Sequence, residues 1–424
     1  MLLVRLKNLA GSGFARNVAT LAGGAALAQF LPLLASPLLT RLYHPAEFGV
    51  LAVYVAWLSN LAVLATGRYE LAIVLPDDDR RSANLMGLSL TIALGLSVLC
   101  ALLFWPGHQW LAAKAGAPKL APWLLLLPLS VLLAGLMQAW TNWNNRLQRY
   151  QANAGGRIAQ AIGSTGVQLG LGFAGAGAGG LVFGQLAGQA ASLAAQAWQD
   201  VRQRFGWRHQ VSRDGMAAEA RAYVEFPRVN APNAFVAALL DTLTVTLLTM
   251  LSGSVTVGLY GLMMRVLKLP AALIGQAVGQ VAFRDFAAAK NAGLSLLPLY
   301  RKTVAVLMAL AVPPFVVILL WGEPLFGLVF GASWRPAGAM ASMLAPYILC
   351  HFIASPLGMI PLVIQRQRTA FVFTLVGNAL FLGSLWAGFA LWGSVTAAFG
   401  LVSAVMVVYF LVYFYWLYRA VQQP

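Results

Sequence analysis

Residues 85–104 read LMGLSLTIALGLSVLCALLF, a run from Leu85 to Phe104 without one charged side chain. A hydrocarbon crossing needs roughly 20 mostly apolar residues, so this stretch has the length and character of a membrane-spanning helix. The same ruler moved outward finds Val18–Leu39, Gly49–Leu75, Pro122–Trp140, Ile158–Ala176 and Gly180–Ala197. Beyond the middle of the chain it finds Ala231–Leu251, Val257–Phe283, Val304–Leu320, Met340–Ile364, Phe371–Leu391 and Val395–Leu417. Ile158–Ala197 is divided at Gly175–Gly180 because a single helix of that length would overrun any bilayer. Composition agrees: of 424 residues, 60% are hydrophobic and only 9% charged, with a mean hydropathy of +0.75. A soluble chain carries about 25% charged residues, so soluble, disordered and nucleic-acid-binding readings of the whole chain are excluded. Cys100 and Cys350 sit in separate apolar runs and suggest neither a disulfide framework nor a metal cluster. The expected fold is an all-α polytopic membrane protein of about twelve transmembrane helices.

Orientation follows from the loops, since lysine and arginine concentrate on the cytoplasmic side. With the N-terminus placed inside, 21 of the 28 lysines and arginines fall in inside segments. Outside lie Arg41, Lys114, Lys119 and Arg335, while Arg68, Arg265 and Lys268 fall within spans. Both termini are therefore expected in the cytoplasm. The basic stretch Met1–Asn17 reads as an amphipathic lead-in to the first span rather than a cleaved signal, because the apolar run after it is too long.

The longest inside loop, Gln199–Arg228, divides the chain into an N-terminal six-helix bundle (1–198), a cytoplasmic linker (199–228) and a second six-helix bundle (229–424). The halves open alike. Phe14-Ala-Arg16-Asn17 precedes the first span and Phe226-Pro-Arg228-Val-Asn230 the seventh; Phe48-Gly49-Val50-Leu51 matches Val257-Gly258-Leu259-Tyr260 in the second span of each half. An even number of spans per half gives a parallel pseudo-repeat, an architecture found in transporters that bind cargo between repeats.

Five ionisable residues lie within the expected spans: Arg68, Glu70, Asp241, Arg265 and Lys268. Each central charge costs about 2.5–3.5 kcal/mol on insertion scales, so it needs a partner or a wet cavity. Arg265 and Lys268 share a helix face, which Gln276 and Gln280 continue. Two cations and two amides on one stripe suit an anionic, hydrogen-bonding ligand. The competing reading pairs these cations with Asp241 and Glu70, or lets them snorkel to an interface; Lys268, about 16 Å along its helix from Val257, lies deep for that. Asp241, with Asn230, Asn233 and Thr244 on its face, is either a site of proton or sodium coupling or the counter-ion of Lys268, and the two roles are compatible. Further polar stripes run through Arg157, Gln160, Ser164 and Gln168, through Gln185, Gln189, Ser192 and Gln196, and through Tyr347, His351 and Ser355. They read either as interhelical hydrogen bonding or as the lining of a hydrated lumen suited to sugars.

Gly170-Leu-Gly172-Phe-Ala-Gly175 matches a dinucleotide fingerprint but lies within a span with no strand before it. It reads instead as small-residue packing, with Gly166 and Gly170 giving the close contact. Asp77-Asp78-Asp79-Arg80-Arg81 reads as a solvated inside turn. Neither a Ser/His/Asp set, nor HExxH, nor a phosphate-binding loop is present in the sequence, so no enzymatic activity and no resident cofactor are expected.

Several segments together resemble the polysaccharide transporter family, the Wzx-like flippases of the MOP exporter superfamily. They are Leu39-Thr40-Arg41-Leu42-Tyr43-His44-Pro45-Ala46-Glu47-Phe48-Gly49, Gly67-Arg68-Tyr69-Glu70 through Pro76, Val257-Gly258-Leu259-Tyr260 through Arg265 to Pro270, and Phe326-Gly327 through Phe330-Gly331 to Trp334-Arg335-Pro336-Ala337-Gly338. The resemblance implies a two-bundle transporter of the MATE-like kind in the bacterial inner membrane. Its implied cargo is an undecaprenyl-diphosphate-linked oligosaccharide, with polymerase and glycosyltransferase partners. By the same resemblance, Arg68, Arg265 and Lys268 would hold the anionic headgroup; helical spacing, not the resemblance, offers Gln276, Gln280, Gln160, Gln168, Gln185 and Gln189 as polar lumen. Asp241 would draw on a proton or sodium gradient. The drug exporters of the superfamily place an acid in the first or seventh span; here Val18–Leu39 has none while Asp241 lies in the seventh, so a cation-coupled multidrug exporter is the nearest alternative. A membrane polysaccharide polymerase or ligase is a more distant one. The longest outside segments, Trp105–Ala121 and Trp321–Ala339, are short and neither holds a carboxylate–histidine pair.

Overall fold

Apolar runs that cannot hydrogen-bond to lipid must satisfy their backbone internally, and they do so as helices. The computed structural model describes residues 28–202, 204 and 206–422; for residues 269–277, 280, 281 and 283 it describes the backbone alone. No strand occurs among the described residues. In chain order the helices are α1 (28–42), α2 (Pro45–Leu64), α3 (Asp79–Lys114), α4 (Leu127–Arg146), α5 (Tyr150–Phe173), α6 (Ala178–Arg202) and α7 (Arg213–Ala222). They continue as α8 (Ala231–Asn291), α9 (Leu297–Phe330), α10 (Arg335–Leu357), α11 (Gln367–Trp392) and α12 (Val395–Gln422). Met1–Asn17 and the start of the first expected span lie outside the described residues.

Each remaining expected span falls on helical structure. By length and apolarity seven described segments can cross a membrane, and the pair Pro118–Leu124 and Leu127–Arg146, bent by 57°, makes an eighth. Helices α5 and α6 have 24 and 25 residues, long enough at 1.5 Å per residue to reach across roughly 30 Å of hydrocarbon. Their glycines and glutamines lower their apolarity. The chain is a multi-pass membrane protein.

Three expected details differ. The second span is not one helix over Gly49–Leu75: α2 ends at Leu64 and a 3₁₀ turn covers Tyr69–Val74. The seventh and eighth spans are two arms of one helical stretch, α8, which leaves helical geometry at Gly253 (φ 77°, ψ 178°), a conformation glycine adopts without steric cost. Asp77–Arg81 is more than a solvated turn. Asp78 caps α3 by accepting from the Arg80 N–H at 2.9 Å, and Asp79 pairs with Arg146 at 2.9 Å.

Packing gathers the chain into two compact units, 1–254 and 255–424. In the first, the core joins Tyr69 and Ile73 to Leu85 and Met86 of α3, Trp140 and Trp143 of α4, and Trp207. Helices α5 and α6 meet through glycine: a Cβ on Gly184 would lie 2.3 Å from Gln168 Cγ, and one on Gly188 would lie 2.8 Å from the Gln160 carbonyl oxygen. Among the described residues, nothing lies within 4 Å of the Cβ positions of the expected contact glycines Gly166 and Gly170. Gly156, Gly163 and Gly172 hold the close contacts of α5 instead, because they lie on the sides turned toward α6 and Tyr43. The first arm of α8 joins this unit through Asn60, whose Nδ2 donates to Thr242 Oγ1, while Thr242 Oγ1 donates to the Ala56 carbonyl at 2.9 Å.

In the second unit, a Cβ on Gly338 would lie 2.2 Å from the Gly322 carbonyl oxygen, so α9 and α10 touch backbone to backbone there. The Tyr347–His351 stripe faces this unit's own aromatics: Tyr347 lies 5.6 Å from Phe381, and both Tyr347 and His351 lie 6.1 Å from Phe410, between ring centroids.

Candidate functional site

The first unit has an open cavity lined by many polar side chains, and its geometry begins where α2 stops. Gly67 (φ 60°) and Arg68 (φ 65°) are successive left-handed residues. Such a pair cannot continue a right-handed helix, so the chain turns back, with Tyr69 N–H donating to the Thr66 carbonyl and Leu71 N–H to the Arg68 carbonyl, each at 3.2 Å. A non-glycine residue held there costs on the order of 1–3 kcal/mol and persists only where its surroundings fix it. Three contacts fix it. Arg68 Nη1 lies 3.5 Å from Glu70 Oε1. Thr66 Oγ1 donates to Glu70 Oε2. Tyr69 OH donates to the Ala220 carbonyl at 3.0 Å. Glu70 is 1% exposed.

The cavity holds about 430 Å³ and takes its wall from α2, the 3₁₀ turn, α4, α5 and α6. Arg68 and Glu70 line it together with Gln138, Gln160, Gln185 and Gln189. Ser59, Thr141 and Asn142 add further hydrogen-bonding groups. The glutamines are held differently. Gln138 Nε2 donates to the Ala62 carbonyl at 3.0 Å and Gln189 Nε2 to the Ser130 carbonyl at 3.4 Å. Each then has a buried Oε1 without a partner among the described residues. Gln160 also lines a second cavity of about 340 Å³, with Gln29, Arg157 and Ser164.

Beneath the cavity a polar network ties α4 to α5 and α6. Thr141 Oγ1 donates to Gln196 Oε1 at 3.0 Å, and Asn144 Nδ2 to the Gln196 carbonyl at 3.1 Å. Trp140 Nε1 and Arg149 Nη1 both donate to Asp200, each at 3.0 Å. Among the expected lumen residues, Gln160, Gln185 and Gln189 therefore meet at one cavity. Gln168 does not: its Nε2 donates to the Leu181 carbonyl at 3.3 Å, and its backbone carbonyl accepts from Tyr43 OH at 2.5 Å, so it braces α5 against α6 and the residue that follows α1.

Arg265 and Lys268 belong to the second unit. They stand exposed on α8 while Leu262, Met263 and Leu267 pack inward. The two acids of this unit are engaged elsewhere, Asp285 with Arg284 at 3.2 Å and Glu323 with Arg335 at 3.5 Å. The side chains of Gln276 and Gln280 lie outside the described residues. Asp241 is exposed on the first arm of α8. Sequence reasoning missed Gln138, Thr141 and Asn142. Their spacing of three and four residues on α4 is the signal that marks them, the same periodicity that identified the stripes of α5 and α6.

A family model described as polysaccharide biosynthesis protein matches residues 38–339. No curated protein matches the chain in sequence. Among solved structures, the chain is similar to an inward-facing multidrug resistance MATE family transporter of the MOP superfamily, with a TM-score of 0.69 at 13% identity, covering 95% of this chain and 94% of that one. It is similar to the lipid II flippase MurJ in its inward closed conformation, with a TM-score of 0.67 at 11% identity and coverage of 94% and 87%. A MOP superfamily transporter from Pyrococcus furiosus, described as having a binding pocket of reverse polarity, gives a TM-score of 0.58 at 14% identity, covering 96% of each chain. These likenesses establish the fold, and the family model establishes the lineage: the chain belongs to the polysaccharide biosynthesis protein family and has the transporter fold of the MOP superfamily.

Proposed function

We propose that this protein is a flippase that carries a polyprenyl-diphosphate-linked oligosaccharide from the inner to the outer leaflet of the bacterial inner membrane by alternating access, with both termini in the cytoplasm. The observation that carries this reading is the amide-rich cavity of the first unit, about 430 Å³ inside an otherwise apolar helical body. Sugars dragged through hydrocarbon lose their hydrogen bonds to water, at a cost of several kcal/mol for each group left unpaired. Glutamine, asparagine, serine and threonine replace those bonds, while the polyprenyl tail stays in lipid. Arg265 and Lys268 supply positive charge for the diphosphate, in a unit whose two acids already have arginine partners. Arg68 adds a third cation at the sugar-binding cavity. Asp241 is the proposed site where a proton or sodium ion couples to the cycle. A multidrug exporter on the same fold would favour aromatic and acidic surfaces for cationic drugs; a cavity of amides suits a polyhydroxylated cargo better.

The test is the double variant Arg265→Gln, Lys268→Gln in the native host. Assembled surface glycan is lost while the protein still inserts in the membrane at normal levels. Normal glycan export by that variant refutes the proposal.

A further inference from the structure

We infer that Glu70 is a positioning residue for the diphosphate of the cargo: it holds Arg68 in reserve, and a phosphate that takes Arg68 from it leaves Glu70 to take up one proton. The inference rests on the flippase reading and deepens it by linking headgroup binding at Arg68 to a proton.

The two partners meet the cavity unequally. Both line it, but the Arg68 side chain is 25% exposed and that of Glu70 only 2%. An anion in the cavity therefore reaches the guanidinium while the carboxylate stays covered. Their contact is also loose. Arg68 Nη1 lies 3.5 Å from Glu70 Oε1, whereas Arg81, Arg146 and Arg149 hold their carboxylates at 2.7, 2.9 and 3.0 Å. Charge-assisted hydrogen bonds close to about 2.7–2.9 Å, so those three pairs are joints and Arg68–Glu70 is an ion contact. A diphosphate brings several oxygens that match the guanidinium fork and displaces it.

Exchange leaves Glu70 without a cation. Thr66 Oγ1 still donates to its Oε2, but a hydroxyl carries no full charge. The rest of the cavity wall is uncharged, with Gln138 on α4, Gln160 on α5, and Gln185 and Gln189 on α6. Charged groups on the neighbouring elements serve other partners. Asp78 caps α3, Asp79 pairs with Arg146, Arg81 pairs with Glu219, and Arg228 in the turn 226–230 acts on Tyr69. Arg157 of α5 lines the second cavity. A buried carboxylate stripped of its counter-charge neutralises instead of bearing the cost of an unpaired ion. The charge balance then closes: the phosphate gains the guanidinium and Glu70 gains a proton from solvent. Binding strengthens as pH falls. The same exchange removes one of the three contacts that hold the left-handed turn at Arg68, so headgroup, proton and turn respond together.

The experiment uses the full chain in lipid nanodiscs and, as probe, uridine diphosphate N-acetylglucosamine, a diphosphate diester with no group that titrates between about pH 6 and pH 8. Calorimetry in buffers of different ionisation enthalpy counts the protons taken up on binding. Wild-type protein takes up close to one proton and loses affinity about tenfold for each pH unit over which that uptake is complete. Glu70→Gln binds at least as tightly as wild type at the upper pH, without proton uptake, because its amide neither holds the guanidinium nor titrates. A Glu70 that merely supports the fold predicts the opposite sign, weaker binding at every pH. Should Glu70→Gln fail to fold, as judged by its thermal transition, Arg68→Gln is read in its place: affinity falls and proton uptake disappears. Absence of binding or of proton uptake in wild type, weakened binding by folded Glu70→Gln, or uptake that persists in Arg68→Gln each overturns the inference. Normal glycan export by Arg265→Gln, Lys268→Gln overturns the flippase reading and leaves this linkage, read on purified protein, in place.

Discussion

Arg81 grips Glu219 through two nitrogens, Nε at 2.7 Å and Nη2 at 3.1 Å, and so fastens helix α7 to the start of α3 across 138 residues of chain. Asn84 reinforces the attachment by accepting from the Ser212 N–H at 2.9 Å and donating to the Gln210 carbonyl at 3.3 Å. The linker region is thus held to the first unit by charge and by backbone. Removing the charge with Glu219→Gln is expected to speed amide exchange in Arg213–Ala222 severalfold while exchange in α4 stays unchanged. Hydrogen–deuterium exchange with mass spectrometry checks this, and unaltered protection would show that the Asn84 contacts suffice.

The glycine seam between α5 and α6 makes a prediction with an internal control. Gly184→Ala forces a methyl group to within 2.3 Å of Gln168 Cγ and 2.9 Å of the Ser164 carbonyl oxygen. Overpacking of this kind costs about 1–3 kcal/mol. Gly166→Ala and Gly170→Ala on the facing helix meet no described residue within 4 Å. Thermal unfolding of the purified variants is expected to fall for Gly184→Ala and to hold or rise for the other two.

Asp200 is 3% exposed and accepts from both Trp140 and Arg149. Asp200→Leu removes the nearly buried carboxylate from a part-exposed Arg149 guanidinium and from the Trp140 N–H, and is expected to cost about 1–3 kcal/mol. Asp200→Asn keeps one acceptor and is expected to cost less. The order of stability, wild type above Asn above Leu, is read from denaturant unfolding in detergent. Equal stability of the two variants would show that charge contributes nothing there.

Asp241→Asn is expected to leave folding intact, since the exposed carboxyl is not part of the Asn60–Thr242 clamp beside it. If Asp241 couples transport, the variant's glycan export no longer responds when an ionophore collapses the ion gradient. An unchanged response removes Asp241 from the coupling step.

Much of this protein could be read from its sequence because lipid imposes a simple rule: length and apolarity decide the spans, and the polar interruptions then stand out. Leu85–Phe104 and Val395–Leu417 have little alternative but to be helices. The interruptions were harder. Arg68 looked like a charge partway along a helix, because Gly67 and Arg68 do not announce a left-handed turn in a run that stays apolar on both sides. Gly253 broke α8 without the loop that the gap between spans suggested. Helical periodicity brought Gln160, Gln185 and Gln189 to notice, but only tertiary packing distinguishes Gln189, which faces a cavity, from Gln168, which braces a helix. Periodicity names a face without naming what stands opposite it. The glycines show the same limit. Five of them lie between Gly155 and Gly170, and only the position of α6 reveals that Gly156 and Gly163 are the ones pressed against it.

The two manners of holding glutamine have an evolutionary corollary. Gln138 and Gln189 are tethered by main-chain oxygens of Ala62 and Ser130, and no substitution of a neighbouring side chain can remove a main-chain oxygen. Among the described residues, Gln160 and Gln185 carry no such tether. Substitution can therefore change the chemistry of the loose positions without disturbing the wall, while the tethered pair keeps its place in it.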